Sequence, residues 1–186
     1  RNKRTGKIIM SDIIESLSNP IKFTDHVFVT EGRDGNPTVR TNPETKLPKG
    51  IYMLTLKGFG VLYLGISGAD RQNAREGTKQ RWHAHGQKMT GIFKNAVDTE
   101  NFRHFREDAV AQGYSLDTIL DHIEVRFIPL AKSNKQKIEA METHLLMSLI
   151  ARGQCRLNGA KRIPALTKEE YEYVSDQKFL PEGFIS

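Results

Sequence analysis

Two phenols stand eleven residues apart in KGIYMLTLKGFGVLYLGIS (residues 49–67), Tyr52 and Tyr63, one on each of two apolar runs that flank a Gly-Phe-Gly turn. Tyrosine is a favoured strand residue at the rim of a core, so the pair has a structural reading. A chemical reading depends on what else the chain brings to them. In QRWHAHG (80–86), Arg81 and His85 are four apart and share one helix face, with Trp82 turned toward the core. Arginine grips a phosphate through paired hydrogen bonds, and histidine carries protons near neutral pH. An ordinary exposed polar face is the competing reading. His83 and His85 diverge by about 200° on a helix, which argues against a shared zinc ion.

Further along, Ile138, Met141, Leu145, Leu146 and Leu149 form one apolar arc at 100° per residue. Glu142 falls inside that arc and Glu139 at its margin. A carboxylate facing a core costs several kcal/mol unless it is paired or holds a cation. A salt bridge to an arginine and a metal ligand on a rigid helix are both open for Glu142. Asn158, in CRLNGAK, precedes Gly159 and reads first as a turn residue. His104, His122 and His144 have no partner that the pattern assigns.

These residues need elements to position them. The chain has 186 residues, 38% of them hydrophobic and 27% charged, which suits one globular domain with some decoration. HVFVT (26–30) reads as a strand, and residues 31–48, with Gly32, Gly35, Pro37, Pro43 and Pro48, as a loop. Two strands follow at about 50–57 and 61–67, then helices at about 79–86 and 99–113. HIEVRFIPL (122–130) alternates like a strand, and 133–153 is a helix capped by Ser133 and stopped by Gly153. Short helices are expected at 11–17, ended by Pro20, and at 167–174, with Thr167 and Glu170 as a capping box. The expected fold class is α/β (α+β), a small three-stranded antiparallel sheet flanked by helices. Residues 1–48 would form an N-terminal arm, 49–160 the core, and 161–186 a C-terminal helix and tail packing on it.

A regular hairpin puts Tyr52 and Tyr63 on one face only if its loop is even. A two-residue 59–60 turn or a four-residue 58–61 loop satisfies this. A three-residue 58–60 loop sends them to opposite faces unless a bulge intervenes.

The formal charge of +6 makes an anionic partner, nucleic acid first, a natural expectation. Its distribution adds to this. Between Thr143 and Lys168 there is no Asp or Glu, while Arg152, Arg156, Lys161, Arg162 and Lys168 are present. From Arg71 to Lys94 only Glu76 opposes Arg71, Arg75, Lys79, Arg81, Lys88 and Lys94. Two such tracts resemble a phosphate track, and a solvated surface is the alternative. Cys155 is the single cysteine, so there is no internal disulfide and no cysteine-rich zinc site. No apolar run reaches the roughly 20 residues of a membrane helix. The basic first residues contain no apolar signal core, so a cytoplasmic setting is expected.

Taken together the residues resemble the GIY-YIG nuclease family. Its two naming tripeptides appear as Gly50-Ile51-Tyr52 and Tyr63-Leu64-Gly65, the second with Leu for the usual Ile. Arg-x-x-x-His on the next helix, a Glu on a later helix and an Asn in the loop after it recur in order, over about residues 49–160. The chain departs from the family in the longer connection between Gly65 and Arg81 and in an extended segment from Gln87 to Thr99.

The resemblance implies that Tyr52, Tyr63, Arg81, His85 and Asn158 line the site and that Glu142 holds one divalent ion, Mg²⁺ or Mn²⁺. It implies cleavage of phosphodiester bonds in double-stranded DNA, by a restriction endonuclease acting as a homodimer, or by a phage, mobile-element or structure-specific nuclease. Arg71, Arg75, Lys79, Lys88, Arg156 and Lys161 would contact DNA phosphates. In that frame Arg81 neutralises phosphate charge and Tyr52, its pKa lowered by neighbouring charge, is the general base, with Tyr63 orienting the water. His85 is the rival base or the activator of Tyr52. A nucleic-acid-binding module without catalysis and a zinc hydrolase are the competing classes.

Overall fold

The tyrosine runs form a hairpin of β4 (Gly50–Leu56) and β5 (Gly60–Ser67), whose β-branched and aromatic residues suit a pleated surface buried on both faces. The structure, a computed structural model, describes residues 19–44, 49–67, 74–130 and 135–159, without the side chains of 74–77 and 137. The expected helices at 11–17 and 167–174, the cap Ser133 and the tail 161–186 lie outside the described residues.

The described chain is mixed α and β. Before the tyrosine hairpin come β1 (Ile21–Lys22), β2 (Val27–Glu31) and β3 (Pro37–Thr41). After it come α1 (Ala74–Thr90), α2 (Glu100–Ala111), β6 (Glu124–Pro129) and α3 (Lys135–Ala151). The main sheet is antiparallel in the order β1-β6-β4-β5, and β2 and β3 form a separate two-stranded sheet. The sheet therefore has four strands and not three. The extra strand is the two-residue β1, where Ile21 pairs with Val125 and Lys22 with Glu124.

Two apolar layers cover the sheet. Tyr52, Leu54 and Leu56 share a core with Trp82 and Met89 of α1 and Phe102, Phe105 and Ala109 of α2. Ile51, Met53, Val61 and Leu64 pack instead with Ile138, Leu145, Leu146 and Leu149 of α3. The alternation of β4 thus feeds one helical layer with even-numbered residues and the other with odd.

Residues 31–48 are not all loop. Gly32 and Gly35 belong to a tight hairpin turn in which Asp34 Oδ1 accepts from the Asn36 backbone N–H at 3.2 Å. Pro37 opens β3 at a sheet edge, where its missing donor costs nothing. The described part of 1–48 packs on the core: Phe23, Val27 and Val39 belong to the Tyr52 cluster. The hairpin lies so close to α1 that a Cβ at Gly86 would stand 2.8 Å from Val27 and 3.1 Å from Val39. Residues 87–99 also depart from expectation. The helix runs on to Thr90, and only the remainder is a loop.

Candidate functional site

β5 begins after a three-residue loop, 57–59, between the paired residues Leu56 and Gly60. That odd count would turn Tyr63 away from Tyr52. The ladder corrects it: Leu54 pairs with Tyr63 but Thr55 with Val61, so Leu62 is one residue too many. The bulge flips the rest of β5, and the two rings lie stacked on one face, 6.0 Å between centroids and 25° apart in plane. Tyr52 is paired across the ladder with Gly65. A Cβ there would come within 2.8 Å of the Tyr52 hydroxyl and 2.9 Å of the Tyr63 ring. The glycine of Tyr63-Leu64-Gly65 is the floor on which Tyr52 lies.

Helix α1 closes the site from above. Trp82 meets the Tyr52 ring edge-on at 5.0 Å, and His85 meets Tyr63 edge-on at 4.4 Å. One turn before His85, Arg81 is exposed. Burial works against its charge, but the Tyr52 and Tyr63 phenols beside it more than compensate and raise its pKa. Tyr52, Tyr63, Arg81 and His85 are therefore brought together as the spacing suggests.

The electrostatics redistribute their roles. Tyr52 is fully buried, and burial followed by the neighbouring Tyr63 phenol pushes its pKa up, with Arg81 and Trp82 opposing weakly. Burial thus acts on Tyr52 in the direction opposite to the lowered pKa expected of a base. His85 is held down to about 3 by burial and then by the Lys88 and Arg81 charges. At that value the ring is neutral at physiological pH. Tyr63 is only half-buried, and it is the phenol that solvent can reach.

His85 Nδ1 and Ser67 Oγ are buried near or on this face with no hydrogen-bond partner among the described residues, while Tyr52 Oη lies within reach of Trp82 and Arg81. Buried polar groups are nearly always paired, so two such atoms mark a place where something polar is to be received. Ser67 was missed from sequence, though counting by two from Tyr63 through Gly65 would have placed it on the same face.

Glu142 and Asn158 make none of these ring contacts. Glu142 is 9% exposed on α3, the helix whose Leu145, Leu146 and Leu149 pack on the other layer of the sheet. One rigid carboxylate suits a magnesium ion that keeps most of its waters, so the donor chemistry at Glu142 fits a single divalent ion. Among the described residues no three of His, Cys, Asp or Glu converge as a metal centre. His83 and His85 point to different partners, the Val39 carbonyl at 2.8 Å and the Tyr63 ring.

Asn158 works on the backbone. Its Nδ2 donates to the Leu64 carbonyl and its Oδ1 accepts from the Leu64 N–H, both at 2.9 Å. Gln154 Oε1 accepts from Val61 N–H at 2.7 Å, and Cys155 and Leu157 donate to the Val61 and Leu62 carbonyls. The segment after α3 thus covers the open edge of β5 next to the bulge. Asn158→Ala is expected to cost about 1–3 kcal/mol, because both Leu64 groups lose their partner. Urea denaturation checks this. A variant that loses cleavage yet unfolds at the same urea concentration would move the amide into the chemistry. Burial pushes the Cys155 thiol up to about 12, so no thiolate is on offer.

Several cations proposed for phosphate are engaged within the chain. Arg156 pairs with Asp108 at 2.6 Å and covers Phe59. Lys79 donates to the Asn42 and Pro43 carbonyls, and Lys88 lies over the Phe102 ring. These positive charges fasten loops and helices together. Arg71 and Lys161 lie outside the described residues, as does the side chain of Arg75.

Compared with protein-family models, curated proteins and solved structures, the chain shows no match to any of them.

Proposed function

We propose that the chain is an endodeoxyribonuclease that hydrolyses phosphodiester bonds of double-stranded DNA with one divalent ion, most similar in kind to a type II restriction endonuclease. A phage or structure-specific nuclease is the nearest variant. The observation that carries the reading is the gathering of Tyr52, Tyr63, His85 and Arg81 on one sheet face beside buried polar atoms that lack partners.

In this reading Arg81, permanently charged and open to solvent, binds the scissile phosphate and offsets the charge that builds on it. Tyr63 presents its hydroxyl to the attacking water. Tyr52 and neutral His85 fix the Tyr63 ring from its face and its edge, so both are positioning residues. Glu142, on the helix that packs against the opposite layer of the sheet, is the residue whose carboxylate would hold Mg²⁺ or Mn²⁺; no step at the Arg81-bound phosphate is routed through that ion.

Incubation of the protein with phage and plasmid DNA in Mg²⁺ is the test. Discrete fragments support a restriction enzyme, and nicking of branched DNA supports the structure-specific variant. Tyr63→Phe is expected to slow cleavage by about 10²-fold, in the range of a lost general acid–base or positioning group. Glu142→Ala should abolish the response to Mg²⁺ while DNA binding persists. Wild-type protein that binds DNA but never cuts it with either ion would leave a binding module in place of a nuclease.

A further inference from the structure

A groove runs between the β2–β3 hairpin and the loop after α1. Its larger part, about 580 Å³, is lined by Arg33, Asp34, Arg40, Gln87, Phe93 and Lys94 among others. A second part of about 310 Å³ continues it past Arg40 and Lys94 to His83 and Asn95. Arg33, Arg40 and Lys94 are exposed and form no close salt bridge among the described residues, although the Lys94 charge acts on the nearby Asp34 carboxylate. The one acid in the lining, Asp34, is taken up by Asn36, whose backbone and side-chain nitrogens both donate to it.

Phe93 supplies a second kind of surface. Its ring is 42% exposed, and the Arg106 guanidinium lies 5.4 Å from its centroid. The open part of that ring is a planar surface on which a base can stack.

The wall that carries Phe93 and Lys94 is built rigid. Gln87, buried on α1, accepts with one oxygen from the backbone N–H groups of Lys94, Asn95 and Ala96 at 3.4, 3.3 and 3.0 Å. Arg106 clamps Asp98 through two bonds of 3.0 and 2.8 Å and also reaches the Lys88 carbonyl at 2.6 Å. Side chains spent on shaping a loop in this way pre-organise whatever the loop presents.

We infer that this groove grips a strand of the DNA substrate, its phosphates on Arg33, Arg40 and Lys94 and an unpaired base on Phe93. The inference rests on the nuclease reading and extends it. A compact anion would need one pocket. Cations spaced along two continuous ones suit an extended polyanion. An aromatic face beside them is what a splayed base stacks on. His83 and Gln87 face the groove from α1, while Arg81 and His85 face the phenols from its other side. The groove and the candidate site are thus separated by about one helix diameter, roughly 10–12 Å.

Fluorescence anisotropy with labelled duplex and single-stranded oligonucleotides, in EDTA so that nothing is cut, tests the groove. The double variant Arg40→Ala, Lys94→Ala is expected to weaken both about tenfold or more and to lower the salt slope by about 2. Phe93→Ala should weaken single-strand binding at least about fivefold and duplex binding less. Lys57→Ala removes the same charge from the β4–β5 turn and should leave binding unchanged, which separates local grip from net charge. If wild-type protein binds but the Arg40 and Lys94 variant binds as tightly with the same slope, the groove is overturned and the nuclease reading survives. If Phe93→Ala leaves single-strand affinity intact, base stacking is overturned. Wild-type protein that binds no DNA overturns the nuclease reading itself.

Discussion

Acidification from about pH 7 to pH 4 is expected to remove on the order of 3 kcal/mol of folding stability, most of it through His85. Its pKa lies near 3 in the folded chain, against an ordinary value of 6.5. Above 6.5 the ring is neutral whether the chain is folded or not, and the full stability is present. As pH falls below 6.5 the unfolded chain takes up a proton that the buried ring refuses, so unfolding is favoured increasingly until about 3. Three features hold the proton off: enclosure between Tyr63 and Phe102, and the charges of Lys88 and Arg81. His26, buried against Trp82 and also lowered by burial, adds a slope of the same sign. Against the usual 5–15 kcal/mol this is a large fraction of the whole. Urea titrations across this pH range measure it. His85→Gln removes the titrating group, so it should flatten the profile even if it lowers stability overall. A wild-type curve that stays level down to pH 4 would mean the ring is solvated or paired in solution.

Arg81→Ala is expected to lower cleavage of duplex DNA by about 10²–10³-fold, the usual loss when one pre-organised donor to a developing charge is removed. The side chain is exposed but bonded to both phenols, so the change should cost about 0.5–1.5 kcal/mol of stability, far less than the loss in rate. The loss should fall mainly on kcat. The phosphate gathers most charge on its oxygens in the transition state, where a bidentate donor acts most strongly. Arg81→Lys keeps the charge but not the planar fork and should recover only part of the rate. Unchanged kcat in Arg81→Ala would remove the guanidinium from the chemistry and leave the phenol pair without its electrostatic partner.

Much of the arrangement was readable because it rests on short-range pattern. The alternation in 50–67, the i, i+4 pairing of Arg81 with His85 and the apolar arc around Leu145 each follow from local geometry. The misreadings have the same root. Gly32, Gly35 and Pro37 signal a turn and an edge with the letters that signal a loop. Only the partner strand and Gly86 on α1 show which it is. Tyr52 and Tyr63 are alike in sequence and in strand propensity. What separates them is depth: Trp82 and Phe127 close over one and not the other, and that is a long-range outcome. Asn158 beside Gly159 looks like any turn, and its two bonds to Leu64 depend on where β5 ends up.

The extra residue at Leu62 ties two lengths together that nothing else would link. With three residues in the preceding loop, the phenols share a face only because the ladder slips by one. In any descendant of this chain, gain or loss of a single turn residue must be accompanied by loss of the slip. Otherwise the second phenol rotates into the α3 layer and takes the site with it. The hairpin tip is therefore under the same constraint as the aromatic pair whose facing it sets.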